Sequence, residues 1–146
     1  KEIDTSILIR YKFFIASSGG EGFRVNLTER ADYFRAMLDA VISPMDFVRR
    51  RAVEPDRYVL LDVRIGDAKR LAEKIPGALM MPAPEVSSRL QELPQDKRIV
   101  FYGWEMHCTL GAKAGVILCE NGFDAIELFG GLKAWKSHAF KTEALE

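Results

Sequence analysis

Near the start of the chain Ile7, Ile9, Tyr11, Phe13 and Ile15 share one parity, with Leu8, Arg10, Lys12 and Phe14 between them. A period of two predicts a strand with one wholly apolar face. Ser17-Ser18-Gly19-Gly20 breaks the pattern, and Phe23, Val25 and Leu27 resume it around Arg24 and Asn26. Residues 1–28 therefore read as a β-hairpin with a Gly-rich loop. Its apolar face needs a cover, either the rest of the chain or a second copy, so a homodimer through residues 1–28 is one expectation.

Downstream the period changes. Ala31, Phe34, Leu38 and Val41 fall at helical spacing after Thr28, a candidate cap. A second helix begins at Ser43-Pro44-Met45-Asp46, with Ser43 as N-cap and Pro44 at the first helical position, where a missing N–H costs nothing. Asp46 is placed to reach back as in a capping box, and Ile42 and Phe47 are spaced as a hydrophobic staple. Strands are then predicted at 58–61 (ending at Asp62), 78–81, 98–102 and 125–128, with a short one near 40–42. Helices are predicted over about 67–73, 84–93, 109–120 and 132–138, and Asn121-Gly122 offers a left-handed stop.

Val59-Leu60-Leu61 and Ile99-Val100-Phe101 do not alternate. Such runs are covered on both faces, which predicts an α/β fold: a five-stranded parallel sheet with helices on each side. Ligands in such sheets bind beyond the carboxyl ends of the strands, so the segments after Asp62, Tyr102 and Leu128 are the places to look.

The 146 residues suit one domain with an appendage: hairpin 1–28, domain 29–140, tail 141–146. Lys and Arg number 21, as do Asp and Glu, so formal net charge is zero. That balance argues against a nucleic-acid partner, which needs a basic excess. No run of about eighteen apolar residues suggests a membrane span. Cys108 and Cys119 are too few for a disulfide scaffold, and Cys119, eleven residues further along a mostly helical stretch, is too far from Cys108 to bridge. Cys119 reads as a small packing residue. A cytoplasmic location is the expectation, no cofactor is implied, and no cluster has metal-ligand spacing. The closing Leu145-Glu146 reads as the remnant of an expression tag.

Candidate chemistry centres on Gly103-Trp104-Glu105-Met106-His107-Cys108-Thr109, between a central strand and a helix. A loop of this kind can curl so that successive N–H groups face one point, where the helix dipole adds to them. A thiol placed there is activated, and Cys108 is a candidate. The bland reading is an ordinary connection with a surface cysteine. Asp62 reads as structural, accepting from nearby amides or pairing with Arg64. Trp104 is suited either to a pocket mouth or to core, Trp135 to core and His138 to the surface. Gly130-Gly131 reads as a turn rather than a phosphate loop, since no Gly-Lys-Ser/Thr follows.

The segments YVLLDVR (58–64), IPGALMMP (75–82), LPQDKRIVFYG (93–103), AKAGVILCENGF (112–123) and IELFGGLKAW (126–135) together resemble the rhodanese-like domain in order and spacing, over about residues 40–139. Tyr102, Trp104 and Cys108 resemble a subfamily with Cys-Trp-x-x-x-Cys at this loop. The resemblance implies a three-layer fold and a strand-end cysteine that takes sulfane sulfur from a donor such as thiosulfate. It would pass the sulfur, as a persulfide, to cyanide or a protein thiol. The matching residue here is Gly103, which has no side chain. The loop also lacks Arg and Lys, and Glu105 is expected to repel an anion. What is implied is a non-catalytic rhodanese-like module that binds a small sulfur-containing anion or a protein. The alternative is a sulfurtransferase working through Cys108.

Overall fold

A computed structural model describes residues 26–145. The predicted hairpin strands at 7–15 and 23–25 lie outside the described residues. The chain divides into two compact units, residues 1–34 and 35–146.

Of the first unit the description covers Asn26 to Phe34, the opening of helix α1 (Leu27–Ala40). Asn26, not Thr28, caps it: the Asn26 side-chain oxygen accepts from Thr28 N at 3.1 Å and Glu29 N at 3.2 Å. Asn is a better N-cap than Thr, so the helix begins two residues earlier than the pattern suggests and takes in Leu27.

The second unit holds a five-stranded parallel sheet made of β1 (Val41–Ile42), β2 (Tyr58–Asp62), β4 (Leu79–Met80), β5 (Arg98–Tyr102) and β6 (Ala125–Leu128), ordered β1-β6-β5-β2-β4. The two non-alternating apolar runs are the adjacent central strands β2 and β5, paired from Tyr58↔Arg98 to Asp62↔Tyr102. Two apolar clusters explain why. One joins Leu60, Val100, Tyr102, Ile126 and Leu128 to Phe47 of α2 (Pro44–Val53) and to Leu132 and Trp135 of α4 (Gly131–Ser137). The other joins Leu61, Val63, Ile99 and Phe101 to Ala114 and Leu118 of α3 (Thr109–Glu120) and to Val86 and Leu93. Each central strand is thus buried on both faces.

The start of α2 is as the sequence predicts. Ser43 Oγ accepts from Asp46 N at 3.1 Å and donates to Asp46 Oδ2 at 2.8 Å, so the carboxylate reaches back to the hydroxyl. Ile42 and Phe47 are both buried. Asn121 and Gly122 (φ +82°) end α3.

Three further expectations fail. Residues 67–73 form a turn with a single α-type bond, Leu71 N to Asp67 O, because Glu73–Lys74 are drawn into an antiparallel pair (β3) with Glu143–Ala144 (β7). The stretch 84–93 is two 3₁₀ segments, Ala83–Ser88 and Leu90–Glu92, broken at Arg89. Its backbone bonds span three residues, not four: Arg89 N to Val86 O, Glu92 N to Arg89 O and Leu93 N to Leu90 O. Cys119 is exposed rather than packed, on the solvent side of α3.

Candidate functional site

Beneath the carboxyl edge of the sheet sits a buried polar hub. Asp62 and Arg64 are both fully buried. Arg64 Nε donates to Asp62 Oδ1 at 2.8 Å and Nη2 to Oδ2 at 2.6 Å, a bidentate pair. Tyr102 Oη donates to Asp62 Oδ2 at 2.7 Å and accepts from Ile75 N at 3.1 Å. Burial, and then the Asp62 charge, hold the Tyr102 phenol far above its usual range. Arg64 Nη2 also reaches Glu73 O at 2.7 Å. The structural reading of Asp62 and Arg64 therefore describes their contacts.

The hub carries Trp104. The Arg64 guanidinium lies 4.5 Å from the Trp104 ring centre, and Trp104 Nε1 donates to Ile65 O at 3.2 Å. The ring packs against the core below and lines a pocket above, so both sequence readings of Trp104 hold.

The loop from Gly103 to Cys108 leaves the end of β5. The first turn of α4 presses against it: Leu132 N donates to Gly103 O at 3.1 Å and Lys133 N to Trp104 O at 3.0 Å. Gly131 permits this approach, since a Cβ there would fall 2.4 Å from Gly103 O. That is the purpose the Gly130-Gly131 turn serves. In a trans peptide the carbonyl and the following N–H point oppositely. With the carbonyls of Gly103 and Trp104 turned to α4, the N–H groups of Trp104 and Glu105 face away from it. The amides of residues 104–107 donate to no acceptor among the described residues.

Cys108 is the N-cap residue of α3 and its side chain caps nothing. It turns inward. A Cβ built on Gly103 would lie 3.2 Å from Cys108 Sγ, 3.5 Å from Cys108 Cβ and 3.8 Å from Gly111 N. The thiol is half-buried beside the backbone of the residue that lacks a side chain, next to the first turn of a twelve-residue helix. Thr109 opens that helix; Met106 and His107 are exposed, and His107 lines the same pocket as Trp104.

A pocket of about 570 Å³ opens over this thiol, lined by Arg70, Glu73, Trp104, Cys108, Lys133 and Lys136 among others. The loop has no cation of its own, but three arrive from elsewhere. Lys133 and Lys136 come one turn apart on α4, and Arg70 comes from the turn after β2. Spacing after Gly130-Gly131 could have pointed to the two lysines. Nothing local in the sequence points to Arg70. Glu105 is held by Lys133 Nζ at 2.8 Å, which keeps the carboxyl below its usual range and the ammonium above its own. Its charge is thus countered rather than free to repel. Glu73 is bound by Lys136 and by Thr142 Oγ1 (2.7 Å), and its carboxyl is held low chiefly by Lys136. Trp135 is buried, His138 exposed, and no cluster of metal-ligating side chains occurs among the described residues.

Comparison with known proteins agrees with this architecture. A profile of the family described as the rhodanese-like domain matches residues 48–138. The HTH-type transcriptional regulator Rv0324 of Mycobacterium tuberculosis is 33% identical over 110 residues, 73% of this chain and 48% of that protein. The chain thus spans about half the length of that relative. A protein named sulfurtransferase from Allochromatium vinosum is 30% identical over 101 residues, 66% of this chain and 89% of its own. Among solved structures, a full-length protein from Lactobacillus plantarum superposes with a TM-score of 0.76 at 32% identity, covering 81% of this chain and 98% of that one. The fold is shared with that solved structure, and this chain belongs to the rhodanese-like domain family.

Proposed function

We propose that the chain is a sulfane-sulfur carrier of the rhodanese type in which Cys108 does what Gly103 cannot. The observation that carries this reading is the position of Cys108 Sγ, 3.2 Å from where a Cβ at 103 would stand. The thiol occupies the space that a strand-end side chain would enter. It sits beside the first turn of α3 and on a loop whose 104–107 amides have no acceptor among the described residues, donors suited to the negative charge of a persulfide.

The chemistry follows from that placement. The Cys108 thiolate attacks the outer sulfur of a donor such as thiosulfate. The donor S–S bond breaks and sulfite leaves with the electron pair. Cys108 then carries a persulfide whose terminal sulfur is anionic and faces the pocket. A thiolate or cyanide takes that sulfur, and the Cys108 thiolate returns. The loop N–H groups act as fixed donors to the charge that develops, an arrangement worth roughly 3 kcal/mol per donor in acyl-transfer enzymes.

The test is intact mass after incubation with thiosulfate, together with thiocyanate release on adding cyanide. The parent and Cys119→Ser should each gain one sulfur atom and release thiocyanate, and Cys108→Ser should do neither. A parent that gains nothing refutes the reading. Gly103 itself favours the other reading, a non-catalytic anion- or protein-binding module, which that negative result would select.

A further inference from the structure

The charges on the pocket wall are not equivalent. Lys133 is committed to Glu105 and Lys136 to Glu73. Arg70 differs. Its guanidinium has no carboxylate partner among the described residues and lies 5.1 Å from the Trp104 ring centre. Trp104 is a rigid support, fixed through its Nε1 bond to Ile65 O and by the buried Arg64 against the same ring. Three cations and two carboxylates leave a single net positive charge, with His107 and Cys108 the other titratable side chains on the wall.

We propose, resting on the sulfur-transfer reading above, that this pocket selects singly charged sulfane-sulfur donors, an organic thiosulfonate in preference to the thiosulfate dianion, and that Arg70 on its Trp104 support binds the donor's anionic group. A dianion beside the Cys108 thiolate places three negative charges over one uncommitted cation. A thiosulfonate places two. The transfer balances: the thiolate attacks the terminal sulfur of R–SO₂–S⁻, the S–S bond breaks, and the sulfinate R–SO₂⁻ leaves with the electron pair.

Anion binding and sulfur transfer are measured separately on the full chain. For binding, methanesulfonate and sulfate are titrated against tryptophan fluorescence, with Trp104→Phe assigning the signal. Methanesulfonate should bind the parent at least as tightly as sulfate. Glu105→Gln frees Lys133 and should shift the ratio toward sulfate by at least about twofold, the bulk-water value for one charge acting on one extra charge at about 8 Å. Arg70→Gln should weaken both anions at least fivefold, and Arg70→Lys should restore part of the loss. For transfer, sulfur uptake by intact mass should be faster from benzenethiosulfonate than from thiosulfate.

A parent that prefers sulfate, a ratio unmoved by Glu105→Gln, or full anion binding in Arg70→Gln overturns the inference. Faster uptake from thiosulfate also overturns it. If the anion ratios behave as expected but no donor loads Cys108, sulfur transfer fails while charge selection by Arg70 stands.

Discussion

Asp62→Asn is a severe test of the hub beneath the site. Asp62 and Arg64 are both fully buried, and the carboxylate accepts from Arg64 Nε, Arg64 Nη2, Arg64 N and Tyr102 Oη. Asparagine keeps the shape, removes the counter-charge and turns one acceptor into a donor that faces other donors. Arg64 Nη1 already lacks a hydrogen-bond partner among the described residues, so the guanidinium has nothing in reserve. Breaking a buried pair by removing one member costs about 3–5 kcal/mol. For a chain of this size each kcal/mol moves the melting temperature by roughly 4 °C, so a drop of about 10–20 °C is expected. Circular dichroism melts on the parent and variant measure it. Two companions sharpen the result. Tyr102→Phe loses one bond to Asp62 and leaves the buried Ile75 N–H unpaired, and should cost about 1–3 kcal/mol. Adding Arg64→Met to Asp62→Asn removes the stranded charge and should recover much of the loss. A single variant melting within about 3 °C of the parent, or a double variant no better than the single, would refute the reasoning.

Other outcomes are equally specific. Gly103→Cys should cross-link to Cys108 on mild oxidation, because the added Cβ lies 3.5 Å from that of Cys108, inside the disulfide range; a thiol titration that shows no loss after oxidation contradicts the inward thiol. Ser43→Ala should destabilise by about 1 kcal/mol through loss of the α2 cap, read by denaturant midpoint at constant slope, and no shift would mean the cap is idle. Glu127, which lies against Gly111, has its carboxyl pushed above the usual range by burial alone. A raised folded-state value means stability that is full below the unfolded carboxyl range and lost as pH rises through the folded one. Glu127→Gln should therefore be more stable than the parent at neutral pH, with the gap closing in acid; a gap that widens in acid reverses the sign and the explanation.

The sequence alone determined what local physics controls. Unbroken apolar runs at 59–61 and 99–101 dictated central, doubly covered parallel strands, since no alternating pattern can satisfy two faces. Ser43-Pro44 and Asn121-Gly122 fixed helix ends through backbone groups within a few residues. The 103–109 loop followed from its place after an apolar strand and before a helix. Tertiary structure decided everything that depends on distant neighbours. Residues 67–73 have helical character, yet pairing of β3 with β7, seventy residues away, holds their end extended. Cys108 is a mid-chain thiol like any other until α4 orients the loop and the absent side chain of Gly103 leaves room for it to turn inward. Glu105 reads as a repelling charge because Lys133, on another element, is invisible to the local sequence. The cations that give the pocket its sign come from two separate segments, the turn after β2 and α4, and only folding brings their charges within reach of one sulfur.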